Sequence, residues 1–322
     1  MTGEEYLLTE GRKIWRHTAC TCHNRRHFLH ITAAVAASLL LSGCGLKPHN
    51  DKIWGNSFIL WQLPPQTSTQ MNSYVLKTYG NTVIVIDGGT TGDAAYLKGF
   101  LAALGNHVHH WFISHPHSDH LDALTAILRD PGNLKIDTIH GSLPAREWIA
   151  SHEPDAEKTL VSFQNALHEY GLEVQEHTLG QKLTIDGIVF EILGIKNPEI
   201  TQNPINNSSV VMRVSGSRKT ILFTGDLGVE GGVKVLNSGI GEKLRADYVQ
   251  MAHHGQRGVN EEFYKAVQPS FCLWPTPDWL WDNNDGGGIN SGPWETLTVR
   301  GWMEKLLIKE HYVSKDGLYR IY

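Results

Sequence analysis

A chain of 322 residues, 41% hydrophobic and 19% charged, is long and apolar enough to bury one large α/β core or two small ones, which excludes the fibrous and disordered classes. Its formal net charge of -5 argues against a general nucleic-acid binder, which presents a basic excess to the phosphate backbone, while leaving open a nuclease whose metals hold the phosphate. Histidine is the outlier at 18 residues, several of them in two tight clusters.

The N-terminal segment reads unlike the rest. Arg25 and Arg26 precede Phe28-Leu29, and residues 31–41 form an apolar run rich in Ala and Leu. A permanent membrane-spanning helix needs about 20 apolar residues to cross roughly 30 Å; this run is shorter and has the length of a signal-peptide hydrophobic region. Leu41-Ser42-Gly43-Cys44 puts small residues before a cysteine, which resembles the lipobox of bacterial lipoproteins, and the paired arginines resemble a twin-arginine export signal. The expectation is a signal peptide over 1–43, a linker over 44–56 and a folded domain over 57–322, held outside the cytoplasm by a lipid on Cys44. Cleavage there removes Cys20 and Cys22 and leaves Cys272 as the free thiol, so a disulfide framework is not expected.

Residues 57–63 and 73–78 read as strands, and 82–87 is a strand too apolar to have one wet face. Asp87-Gly88-Gly89 turns the chain into a helix over 93–104 that Gly105 can end. Residues 108–114 form the next buried strand, and 120–129 the helix after it. A strand over 136–140, a helix over 155–170, and strands over 181–185, 188–193, 208–214 and 220–223 follow, the last two joined by a hairpin turn at Ser215-Gly216-Ser217-Arg218. A helix over 235–244 and a strand over 248–251 complete the readable pattern.

The chemistry-bearing residues follow apolar strands, where open α/β sheets present side chains into a crevice. His115-Pro116-His117-Ser118-Asp119-His120 carries four ligand-type side chains in six residues; imidazole and carboxylate suit a borderline metal such as zinc. On one loop, His115 and His117 can face one ion while Asp119 and His120 face another. Thr224-Gly225-Asp226 puts a carboxylate at a strand end, with Gly225 allowing close backbone approach. Ala252-His253-His254-Gly255 repeats the logic with histidine.

Taken in order from Ile86-Asp87-Gly88-Gly89 through the histidine motif, Asn206-Asn207-Ser208-Ser209, Thr224-Gly225-Asp226 and His253-His254-Gly255, the sequence resembles the metallo-β-lactamase superfamily. Within it, the likeness is greatest to the branch holding the extracellular domain of the ComEC-type competence protein and the choline-phosphate esterases. The resemblance covers most of residues 57–275. It implies an α/β fold, an αββα sandwich of two mixed β-sheets flanked by helices. It also implies two divalent metal ions, zinc in first place with manganese or iron as alternatives, that activate water for hydrolysis.

Carried over by position, His115 and His117 would bind the first metal, Asp119 and His120 the second, and Asp226 both. His253 is the preferred ligand of the last motif. Asp119 and His254 take catalytic roles, His254 as a proton donor to the leaving group or as a replacement ligand. Asp87, Asn206 and Asn207 are expected to support the ligands. The family's further histidine is missing from residues 194–207; Asn206 or Asn207 stands in that neighbourhood, and His177 is a remote substitute. The ComEC-like branch implies a phosphodiester or phosphoester substrate, whether a small molecule, an envelope component or nucleic acid. A β-lactam or lactone hydrolase is the alternative, and a surface lipoprotein that only binds is a second. No protein partner is expected. Trp274, Trp279, Trp281 and Trp294 lie in a Pro/Gly-rich stretch that either pins a long loop to the core or forms an aromatic wall for substrate.

Overall fold

The computed structural model describes residues 56–322; the expected signal peptide, its paired arginines and Cys44 lie outside them. In the first half, strands β1 (Phe58–Gln62), β2 (Ser73–Thr78) and β3 (Val83–Asp87) lead into helix α1 (Ala94–Ala103), β4 (His107–Phe112), α2 (Ser118–Arg129) and β5 (Lys135–Gly141). Helices α3 (Arg146–His152) and α4 (Pro154–Tyr170) and strand β6 (Val174–Glu176) follow. The second half holds β7 (Lys182–Ile185), β8 (Ile188–Gly194), β9 (Val211–Ser215), β10 (Thr220–Phe223), α5 (Val229–Asn237), β11 (Tyr248–Gln250) and α6 (Glu261–Val267). It ends with β12 (Phe271–Trp274), α7 (Asp278–Trp281), α8 (Thr296–Lys305), β13 (Glu310–Val313) and β14 (Tyr319–Ile321).

These strands make two seven-stranded sheets, in the orders β14-β1-β2-β3-β4-β5-β6 and β13-β12-β11-β10-β9-β8-β7. Both are mixed: β3 to β6 run parallel while β1 to β3 alternate, and β10 to β13 run parallel while β7 to β10 alternate. Three apolar layers hold the sandwich. Phe58, Leu60, Tyr74, Ile84, Phe112, Phe190, Ile221 and Phe223 fill the space between the sheets. Leu97, Phe100, Trp111, Leu124 and Phe163 join the first sheet to its helices, and Val249, Phe263, Tyr264, Trp274 and Met303 join the second to its own. The αββα sandwich is therefore the fold. Strands such as Val83–Asp87, buried at every position, are covered on both faces, as their uniform apolarity requires. No helix among the described residues is long and apolar enough to cross a membrane.

The helix expected over 235–244 lies earlier, at Val229–Asn237, and a 3-10 turn at Gly241–Leu244 follows it. Gly231 and Gly232 lower the helix propensity of that segment and hid its start. They serve packing: a Cβ on Gly231 would stand 2.6 Å from Leu227 and 2.8 Å from Asn207. Helices α3, α6, α7 and α8 and strands β6, β12, β13 and β14 are not among the expected elements; all but the ten-residue α8 have only three to seven residues, too few to establish a period.

Candidate metal centre

The chemistry-bearing side chains gather where parallel strands end. Asp87 closes β3, the His115 motif follows β4, Asp226 follows β10, and His253-His254 follows β11. Each position is fixed by local backbone. Asp87 has φ 55, a left-handed conformation in which Asp is enriched. Gly225 has φ 53, and a Cβ there would stand 2.8 Å from Ser209 Oγ and 2.9 Å from Ser114 Cβ, so only glycine lets Asp226 approach the first sheet's motif. His253 and His254 are both left-handed, with φ 53 and 56. Each such residue costs of order 1–3 kcal/mol and persists only where its surroundings over-determine it. The His253 amide donates to Gly225 O (3.1 Å), His254 Nδ1 to Pro275 O (2.9 Å), and Thr276 Oγ1 to His254 O (2.5 Å). Buried Gln250 ties the two loops together, accepting from the Thr224 amide (2.8 Å) and donating to Gly225 O (3.0 Å) and Met251 O (2.8 Å).

Four side chains converge. One donor atom from each of Asp119, His120, Asp226 and His254 lies within 4.8 Å of the others. His254 Nε2 is 2.9 Å from Asp119 Oδ2 and 3.2 Å from Asp226 Oδ2, and His120 Nε2 is 3.2 Å from Asp226 Oδ1. The outward nitrogens are already spent: His120 Nδ1 donates to Asp87 Oδ2 at 2.8 Å, and His254 Nδ1 to the Pro275 carbonyl. Both rings therefore turn lone pairs toward two carboxylates, and Asp226 Oδ1 finds no hydrogen-bond donor among the described residues. A buried set of acceptors facing one another calls for a cation.

Electrostatics say the same. Burial alone would push His120 down, but Asp226, Asp119 and Asp87 together hold its pKa well above the ordinary histidine value. His254 is likewise driven down by burial and driven up more strongly by Asp226 and Asp119, to about 9. Burial would raise Asp119 and Asp226, yet the two histidines hold both carboxyls below the usual range. A divalent ion supplies the same positive charge without protonating the rings. The donor set of two imidazoles and two carboxylates fits zinc and admits manganese or iron.

The position expected for the first metal adjoins this group across Asp226. His115 Nε2 is 3.9 Å from Asp226 Oδ2 and 3.0 Å from His117 Nδ1. His115 is turned inward by Nδ1 contacts to Ser114 Oγ (3.0 Å) and Ser209 Oγ (3.2 Å). Burial, then His120, hold the His115 pKa well below the ordinary value, leaving a neutral ring suited to ligation. His253 Nε2 stands 4.0 Å from Asp226 Oδ2 and accepts from Asn206 Nδ2 at 3.2 Å, while its Nδ1 donates to Arg257 O at 3.2 Å.

From sequence His253 is the preferred ligand of its motif, with His254 as its replacement or as a proton donor; the geometry puts His254 among the carboxylates and His253 beside Asn206. The reason is the pair of left-handed residues, which sends consecutive rings to different sides. Asp87 accepts from Asn72 Nδ2, the Ser114 amide and Ser114 Oγ, each at 2.7 Å, in addition to His120. Asn206 lies beside His253, its Oδ1 without a partner among the described residues. Asn207, expected to support the ligands, turns away: its amide holds the Gly231 amide (2.8 Å), Gln202 O (2.7 Å) and Glu230 (3.0 Å). His177 packs against Phe112 and His140 between the sheets and bonds Gln181 at 3.2 Å, which ends its candidacy as a substitute ligand.

One residue at the site escaped the sequence reading. Glu153 Oε1 accepts from His117 Nε2 at 2.7 Å. Burial would raise the Glu153 carboxyl, and the hydrogen bond from His117 outweighs it to hold the pKa below the ordinary value. The tryptophans mainly fasten their loop. Trp274 packs edge-on against Trp281, Trp279 against Trp294, and Trp279 Nε1 donates to Ser68 O at 2.8 Å. The Arg257 amide donates to Trp294 O at 3.0 Å, joining this loop to the backbone beside His253. A further His/carboxylate group, His107, His109 and Asp137, lies at the start of β4. Its donors are committed, Asp137 to Lys135 at 2.6 Å and His109 Nδ1 to the Val83 amide at 3.1 Å.

Residues 67–267 match the family described as the metallo-beta-lactamase superfamily. The chain is 32% identical over 122 residues to ComE operon protein 3 of Bacillus subtilis (strain 168); the match takes in 38% of this chain and 15% of that protein. Among solved structures, the metallo-beta-lactamase fold protein YhfI from Bacillus subtilis aligns at TM-score 0.51 and 14% identity, over 83% of this chain and 100% of that one. A mutant of the CmlA beta-hydroxylase aligns at TM-score 0.51 and 13% identity, over 90% and 59%. At such identities the two structures speak for the fold alone.

Proposed function

The chain belongs to the metallo-beta-lactamase superfamily, and from that premise we propose that it is an exported, metal-dependent hydrolase of phosphodiester or phosphoester bonds. The observation that carries the metal-dependent reading is the buried group of Asp119, His120, Asp226 and His254, acceptors facing one another around an orphaned carboxylate oxygen. This group, with His115 and His117, would hold two divalent cations, which would supply Lewis-acid chemistry by polarising a phosphoryl oxygen and lowering the pKa of water from about 15.7 toward 7. The chain's own residues do the rest. Asp87 and the Pro275 carbonyl fix which nitrogen His120 and His254 turn inward. Asp226 faces both positions. His253 stands 4.0 Å from Asp226 with Asn206 against it.

Two considerations favour a phosphoester over a lactam ring. The family's further histidine is missing and Asn206 stands in that neighbourhood of the sequence, and anionic phosphoryl oxygens fill an open coordination place better than a neutral carbonyl does. The branch that the sequence resembles implies phosphoester chemistry, and the likeness to ComE operon protein 3 over 122 residues accords with that resemblance. The proposal extends to membrane anchoring by a lipid on Cys44, which rests on the resemblance of Leu41-Ser42-Gly43-Cys44 to a lipobox; a Cys44→Ala chain should leave the membrane fraction.

The test is hydrolysis of bis-p-nitrophenyl phosphate, p-nitrophenyl phosphorylcholine and nitrocefin, side by side, by metal-loaded protein and by Asp226→Ala. Turnover of a phosphoester by the parent and none by the variant supports the proposal. Hydrolysis of nitrocefin alone overturns the phosphoester assignment, and a parent that gains no thermal stability from zinc, manganese or iron overturns the metal-dependent one.

A further inference from the structure

We infer that Glu153 is the residue that builds the first metal position, by fixing the His117 ring and the Ile205–Asn206 turn to each other, and that it sets the affinity of that position separately from its neighbour. The inference rests on the two-metal reading above. Of the five histidine rings at the site, His115, His120, His253 and His254 each engage an outward partner through Nδ1 and turn Nε2 inward. His117 is reversed: its Nε2 meets Glu153 Oε1 at 2.7 Å and its Nδ1 faces His115 Nε2 at 3.0 Å. An imidazole that donates through one nitrogen must offer the other as a lone pair, so the carboxylate dictates both tautomer and orientation.

The second oxygen of the same carboxylate, Oε2, receives the Ile205 amide at 3.4 Å. Ile205 is followed by Asn206, whose buried Oδ1 has no partner among the described residues and whose Nδ2 reaches His253 Nε2 at 3.2 Å. One carboxylate thus holds His117 on one flank of the position and the Asn206 turn on the other. Backbone places it there. Glu153 joins α3 to α4 with φ -150, ψ 68, and Pro154 follows as the first residue of α4; a residue before proline is kept out of the helical region. The opposite position has no such dependence, since its rings are held by Asp87 and Pro275 O.

Metal-free protein titrated with cobalt(II), followed by its visible absorption bands and by calorimetry, tests this. The parent should take up two equivalents in distinguishable steps. Glu153→Ala should leave the tighter step within about twofold and weaken the other by roughly 10–100-fold, the usual cost of losing a partner behind a ligand histidine. Glu153→Gln keeps an acceptor oxygen for His117 and should recover part of that loss, which a purely structural role for the side chain would not grade in this way. Equal weakening of both steps, or no change in either, overturns the inference while leaving the two-metal reading intact. A parent that binds a single equivalent overturns both. If Glu153→Ala does not fold, the same comparison between the parent and Glu153→Gln decides it, selective weakening of one step supporting the inference.

Discussion

Asp87 Oδ2 and His120 Nδ1 meet at 2.8 Å with both side chains wholly shielded from solvent. The carboxylate closes one strand and the histidine sits in the first turn of a helix 33 residues away. The contact turns the imidazole so that Nε2 faces Asp226.

Asp87→Asn separates charge from backbone conformation, because Asn tolerates the left-handed φ of 55 found there. It should fold and lose about 10–100-fold in metal affinity. Asp87→Ala should also strand the Ser114 amide and Asn72 Nδ2, each a buried donor costing about 1–3 kcal/mol when left unpaired. Metal titration and urea denaturation of the two variants check this; an Asn variant with parental affinity would refute the orienting role.

His253 and His254 should respond differently to replacement by Asn, again a residue that accepts their left-handed backbone. His254→Asn removes a member of the converging group and should cost metal affinity beyond the ~10–100-fold typical of outlying partners. His253→Asn should spare the tighter ion. Metal content per chain after dialysis reads the difference, and equal losses would show that the geometry does not separate the two rings.

Between the sheets, His140 stacks on Phe112 (4.6 Å between centroids) and bonds His110 at 3.0 Å. Burial, then His110 and His177, lower its pKa from 6.5 to about 3. The folded chain therefore keeps this ring neutral while the unfolded chain protonates it, so the unfolded state binds more protons between those values and stability rises with pH across them. The contribution is complete above about pH 6.5 and is lost as pH falls toward 3. His140→Phe retains the stack and removes the titration. Urea midpoints of metal-free protein at pH 7 and pH 5 should fall less in the variant than in the parent; equal falls would count against the assignment.

Much of the centre could be read from sequence because its parts are local. His115, His117, Asp119 and His120 lie within six residues after an apolar strand, and Gly225-Asp226 and His253-His254 each follow another. Ligand-type residues at strand ends are visible without knowing how the strands pack. Glu153 was not readable: its partner is 36 residues away, and nothing in Glu153-Pro154 distinguishes a site carboxylate from any helix-starting acid. The short strands β13 and β14 were also missed, although they complete the sheets against β12 and β1, because pairing rather than local pattern makes them strands.

By itself the sequence determined the class of fold and the inventory of donors, since burial period and residue type are properties of single segments. The tertiary structure decided which donors act together. Whether His253 or His254 joins Asp119 depends on two left-handed residues held by Gly225, Pro275 and Thr276. Which nitrogen each ring turns inward depends on an acceptor brought from elsewhere in the chain, Asp87 for His120 and Glu153 for His117. A ring's orientation is set by the hydrogen bond behind it, and that partner is known only once the chain has folded.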